Sequence, residues 1–163
     1  MRTAISGTWV YAIVLIFMVI LIAYVAITIN YANTFEMSSD VIKIIEEGEG
    51  YNNRTRTKIE KYLRGNNQSA KHACNLNTLN KGCVIGVDGT NITKITGVNS
   101  GKYDYCMSRT KTTVQGKTTY YYQVSLFFNF SLPVLGDMWS FNVPGETAGM
   151  TYVTDDTFEG MGC

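Results

Sequence analysis

Cys74, Cys83, Cys106 and Cys163 are the side chains with the widest chemical reach in this chain of 163 residues. A thiolate can attack, ligate a metal or close a bridge. Nucleophilic attack needs a base, and the one histidine, His72, sits in a polar, asparagine-rich stretch. His72-Ala73-Cys74 followed by Cys83 lacks the close Cys-x2-Cys spacing of structural zinc sites, so bridges outweigh a metal. Cys74 and Cys83 enclose eight residues, a loop a bridge could close, and Cys106 with Cys163 would then pin the C-terminus to the rest. Four cysteines allow three connectivities, and their spacing does not choose among them. A free thiol at Cys163 also stays open. Glu46, Glu47 and Glu49 bunch together, as the charged end of a helix does, and no glycine-rich loop is set to cradle a phosphate. No catalytic constellation, metal set or cofactor motif emerges, and the expectation is a protein without enzymatic activity.

The elements that would carry these residues begin with a membrane segment. From Trp9 to Ile29 every residue is apolar or aromatic except Thr28. Those 21 residues span roughly 31 Å as a helix, matching a hydrocarbon core of about 30 Å. Trp9 and Tyr11 at one end, and Tyr24 and Tyr31 toward the other, are the expected interface anchors. A cleaved secretory signal is the competing reading, but the apolar run is long and Ala23-Tyr24-Val25-Ala26 is only a weak cleavage site. Arg2 precedes the helix, and Glu36 and Asp40 are the first charges after it. The bias of positive charge toward the cytoplasm then places residues 1–8 inside and the C-terminal domain outside, as a single-pass protein of the cell membrane. The net charge of +1 provides no field for nucleic acid. Four Asn-x-Ser/Thr sequences, at Asn53, Asn67, Asn91 and Asn129, lend weak support to glycosylation.

Residues 30–64 read as a stalk and a short helix. Val41, Ile42, Ile44 and Ile45 form an apolar stripe with Asp40, Lys43, Glu46 and Glu47 opposite, so the membrane helix is expected to continue through about Glu47. Gly48 and Gly50 interrupt it, and a second helix is expected near Asn53–Arg64, with Ile59, Tyr62 and Leu63 on one face. Acidic residues fall on the first helix and Arg54, Arg56, Lys58, Lys61 and Arg64 on the second. Folding the two together would pair opposite charges, although Glu60 can also serve Arg56 and Arg64 along the helix.

Residues 65–163 change period from helical to alternating. Cys83–Val87, the Asp88-Gly89 turn and Thr90–Ile95 suggest a hairpin. The clearest signal is Tyr120, Tyr122, Val124, Leu126, Phe128 and Phe130 alternating with Thr119, Tyr121, Gln123, Ser125, Phe127 and Asn129. A turn at Gln115-Gly116, with Val114 opposite Lys117, puts Met107 against Val124, Tyr105 against Leu126 and Tyr103 against Phe128. Pro133 should end that strand. Another follows a Leu135-Gly136-Asp137 turn and is closed by Pro144-Gly145, with an edge strand near Met150–Val153. The fold class expected is α+β: one apolar helix running into a stalk, a short second helix, and an antiparallel sheet of about four to five strands whose aromatic face the helices cover.

This arrangement resembles the pilin-like plan, and within it the TadE-like proteins of tight-adherence (Flp) pilus and related secretion systems. The resemblance lies in the order Gly7, the apolar run Trp9–Ile29, the stalk to Glu47 and the late hairpin ending Ser131-Leu132-Pro133. It implies Gly7 as a processing point. The chain departs from the plan at the fifth position after Gly7, which is Ala12 where such precursors usually carry glutamate, and in having Arg2 as its only basic leader residue. The implied role is a minor or accessory pilin-like subunit, joining other pilin-like or secretion-platform subunits, or copies of itself, through helix and sheet. The alternative is a membrane-tethered extracytoplasmic binding or sensor module.

Overall fold

The computed structural model describes residues 2–66, 70–75, 79, 82–97, 101–132 and 136–163, with side chains of all but 2–7, 129–132 and 136–141. Helix α1 runs unbroken over Arg2–Glu47, 46 residues and about 69 Å. Its apolar stretch is exposed on every side. The stretch that follows buries Thr34, Ser38, Val41 and Ile45, one stripe at helical spacing. α1 ends in a Schellman motif, with Glu49 N–H donating to Glu46 O (3.2 Å) and Gly50 N–H to Ile45 O (3.0 Å). Glu49 takes the αL position of that motif, at φ 54°, and Gly50 after it has φ 120°. Helix α2, Asn53–Gly65, is capped by the Asn52 side chain, which accepts from Thr55 N–H at 2.9 Å.

Five antiparallel strands follow: β1 Cys83–Asp88, β2 Asn91–Ile95, β3 Tyr105–Val114, β4 Lys117–Leu132 and β5 Gly136–Glu146, in the order β2-β1-β3-β4-β5. The β3–β4 register is the expected one, with Val114 opposite Lys117, Met107 opposite Val124 and Tyr105 opposite Leu126. Gln115 and Gly116 both take positive φ, 51° and 79°, the sign pattern of a type I′ turn, which suits the twist of a two-residue hairpin.

Strand alternation sorts side chains to two faces. Ile85, Val87, Tyr105, Met107, Tyr122, Val124 and Leu126 face the helices, where Val41 and Ile45 of α1 and Ile59 and Leu63 of α2 close a core. Each such buried aliphatic side chain contributes about 1.5–3 kcal/mol. Val84, Cys106 and Phe127 face the other way, under Ala70, Cys74, Leu79 and Tyr103. The sheet centre is therefore covered on both sides, by helices on one and by the segment following α2 on the other.

Several expectations are corrected. Tyr103 does not oppose Phe128; it bridges His72 outside the strand and joins the second face. Its ring lies over Gly86, where a Cβ would collide with it. β5 is not closed by Pro144-Gly145 but continues to Glu146, because it is an edge strand and Pro144, exposed and lacking an N–H, can sit on its outer side. Near Met150–Val153 there is a single bridge, Tyr120 to Met150, instead of a strand, and the tail then forms a short helix, α3, Asp156–Gly160. Gly136 and Asp137 lie in β5 rather than in a turn. Among the described residues no ion pair joins α1 to α2; a hydrogen bond from the Tyr62 hydroxyl to Asp40 Oδ2, 2.6 Å, links them instead. Glu60 pairs along its own helix with Arg56, at 3.4 Å. Pro133, Leu135 and the sequence at Asn67 lie outside the described residues, as does the side chain of Asn129.

Candidate functional site

The cysteines close two bridges, Cys74–Cys106 and Cys83–Cys163, with Cα separations of 5.7 and 5.6 Å. The pairs Cys74–Cys83 and Cys106–Cys163 are excluded by strand alternation. Cys106 points to the second face, where Cys74 lies, whereas Cys83 packs on the helix-side core together with Cys163. Parity along β1 and β3 carried this information: Cys83 opposes Arg109 and Cys106 opposes Gly86, so the two cysteines stand on opposite faces. The thiols are consumed by bridges, and His72 packs against the Phe127 ring at 5.5 Å between centroids. Glu46 and Glu49 hold the tail: Glu46 Oε1 accepts from Ala148 N–H at 2.7 Å, and Glu49 O accepts from Thr154 N–H at 2.7 Å. Among the described residues no three His, Cys, Asp or Glu side chains converge on a metal position.

A buried polar cluster joins β3, β4 and the tail. Asp155 caps α3, accepting from Phe158 N–H at 3.0 Å, and also accepts from the Tyr122 hydroxyl and from Arg109 Nη1 at 3.3 Å. The Arg109 guanidinium lies over the Phe158 and Tyr120 rings, 5.3 and 5.5 Å from their centroids. Burial raises the Asp155 carboxyl above its usual value, against the lowering pull of its hydrogen bonds and of Arg109. Burial and the Asp155 charge raise the Tyr122 hydroxyl as well. Nearby, the Tyr51 and Tyr105 hydroxyls share a hydrogen bond of 2.7 Å, and burial raises both. These groups hold the tail and the α1–α2 connection onto the sheet. Arg109 falls on the buried register Tyr105-Met107-Arg109, a signal in the sequence that an acidic partner was required.

A groove of about 450 Å³, with room for another molecule, lies where α1 leaves its apolar run. Asn30, Asn33, Thr34, Glu36 and Met37 of α1 form one wall, Tyr62 of α2 and its C-cap Asn66 another, and Phe128 of β4 the third. Thr34 Oγ1 donates to Asn30 O at 2.8 Å, and the Asn30 amide to Ala26 O at 2.9 Å, so part of this polar edge is turned back onto the helix. Tyr62, pushed up to about 12 by burial and by the Asp40 carboxylate it meets, stays a neutral donor. Sequence reasoning missed this groove because its walls come from three elements far apart in the chain.

The expected interface residues Trp9, Tyr11, Tyr24 and Tyr31 are all exposed on α1, and Phe35 beyond them is 62% exposed. The helix is long and apolar enough to cross a membrane, and none of its most apolar window is buried. In comparisons with protein-family models, curated proteins and solved structures, nothing matches this chain.

Proposed function

We propose that the chain is a membrane-anchored, non-enzymatic structural subunit of the minor or accessory pilin-like kind, of which the TadE-like proteins of tight-adherence pili are the nearest pattern. The observation that carries this reading is the continuity of α1: an exposed apolar rod over its first half, then Val41 and Ile45 locked into the domain core without a break. A rigid rod fixes the domain at a set height and transmits force between helix and sheet, as an assembled subunit requires. A tethered receptor has no such need. Bare helix in a bilayer also offers neighbouring apolar helices a packing surface.

The two bridges support a C-terminal domain on the extracytoplasmic side, since disulfides persist in oxidising compartments and every cysteine follows the apolar helix. The N-terminus is then cytoplasmic, which agrees with Arg2.

Photo-crosslinking amino acids placed at the exposed Ile16 and Ile20 in living cells test the reading. Discrete adducts with other helix-anchored proteins, or with a second copy, are expected; adducts with lipid alone would sink it. The groove supports a second reading, a tethered binding module. Under that reading, widening the groove with Phe128→Ala abolishes function while leaving the crosslinks intact.

A further inference from the structure

The long strand β4 has two unlike ends. At the β3–β4 turn it is framed by Lys111, Thr112, Thr113, Lys117, Thr118 and Thr119. At its other end β4 carries Phe128, Phe130 and Leu132, while β5 beside it carries Met138, Trp139 and Phe141. Asp137 is the only charge between Phe127 and Asn142. The register sets Phe128 opposite Phe141 and Phe130 opposite Trp139.

Packing against α1 shows where that apolar end lies. Gly145, the partner of Val124 in β4, is met by Ser38 and Ile42 of α1. Four residues further along β4, Phe128 shares the groove with Thr34 and Asn30. Advancing along β4 toward Leu132 therefore means advancing along α1 toward its N-terminus. Four strand residues cover about 13 Å, the rise of about nine helix residues. The same step from Phe128 to Leu132 takes the level on α1 from Thr34 to about Val25. Val25 is inside the apolar run that ends at Ile29.

We propose that the Leu132/Gly136 end of the β4–β5 pair seats in the interfacial layer of the leaflet from which α1 emerges, so that the domain touches the bilayer at two places. This rests on the reading of α1 as a membrane span. Depth is limited from both sides. β5 is an edge strand whose outer N–H and C=O groups the sheet does not pair, and hydrocarbon cannot satisfy them. Asp137 needs water for the same reason. Aromatic side chains favour the layer between, and two contacts fix the rotation of the domain about the helix axis.

The chain has two tryptophans, Trp9 and Trp139, which makes the test direct. The full chain carrying Trp9→Phe, reconstituted in phosphatidylcholine vesicles, reports on Trp139 alone; Trp139→Phe reports on Trp9 alone. Trp139 emission is expected to be blue-shifted, and to be lost more completely to lipid brominated near the carbonyl end of its chains than to lipid brominated near the methyl end. Water-like emission overturns the inference. So does blue emission that neither lipid quenches, because protein then covers the residue. If Trp9 is quenched while Trp139 is not, the second contact is wrong and the span stands. If neither is quenched, the span itself falls, and the inference with it.

Discussion

Arg109 Nη1 and Asp155 Oδ2 lie 3.3 Å apart inside the domain, joining the buried register of β3 to the cap of α3. Asp155→Ala strands the guanidinium, the Tyr122 hydroxyl and the Phe158 N–H together, and is expected to cost about 3–5 kcal/mol in chemical unfolding of the micelle-bound protein. The sign of its pH dependence follows from the raised carboxyl. A folded value above the unfolded one means that stability from this group is complete at acid pH and declines as pH rises through the folded value. The penalty of Asp155→Ala should therefore be largest in acid and shrink toward neutrality. A penalty that grows with pH would show that attraction to Arg109, not burial, governs the carboxyl.

The bridges Cys74–Cys106 and Cys83–Cys163 close sequence separations of 32 and 80. Peptide mapping under non-reducing conditions should recover these two pairs, and a Cys74–Cys83 peptide would contradict the face assignment. Removing either pair by double serine substitution is expected to lower stability by roughly 4 kcal/mol, near the upper end for such loops. Loss of Cys83–Cys163 should also free α3 and the tail, seen as faster hydrogen exchange at Phe158, whose side chain is fully buried.

Glu49 holds φ 54° at the end of α1, a conformation that costs a side-chain-bearing residue about 1–2 kcal/mol. Glu49→Gly removes that strain, and its greater unfolded-state entropy offsets part of the gain. The net expectation is stabilisation by up to about 1 kcal/mol, read as a raised Tm. Gly50→Ala should do the reverse, since φ is 120° there and a Cβ would lie 3.2 Å from the Tyr122 hydroxyl.

Gly145 lets β5 approach α1. A Cβ at that position would overlap Ile42 Cδ1 and lie 2.8 Å from Ser38 Oγ. Gly145→Val should push rod and sheet apart at a cost of about 1–3 kcal/mol. Hydrogen exchange over residues 34–45 would increase while the β3–β4 hairpin stays protected. Equal loosening of both would mean that helix and sheet do not separate as distinct units.

Much of this architecture was legible because each signal was local. The 21-residue apolar run, the stripe at Val41–Ile45 and the alternation from Tyr120 to Phe128 each report on a neighbourhood of a few residues. The β3–β4 register could be read because a slip of one residue would turn every side chain to the other face. Tyr103 escaped the same logic because β3 begins only at Tyr105, and the backbone of Tyr103 is claimed by His72 instead. Pro144 misled because a proline ends a strand only where its missing N–H was needed, and an edge strand does not need it on the outer side.

By itself, then, the sequence determined the apolar rod, its run into a stalk, the second helix and the antiparallel hairpin, since period and turn chemistry act within a few residues. Tertiary structure alone decided which cysteines meet, that Asp155 answers Arg109, that three distant elements enclose the groove at Phe128, and that β4 from Val124 to Phe128 advances along α1 toward its N-terminus. Those relations depend on which face of the sheet each segment crosses and at what height along α1. Such quantities are set by the packing of the whole chain, and no short window of residues contains them.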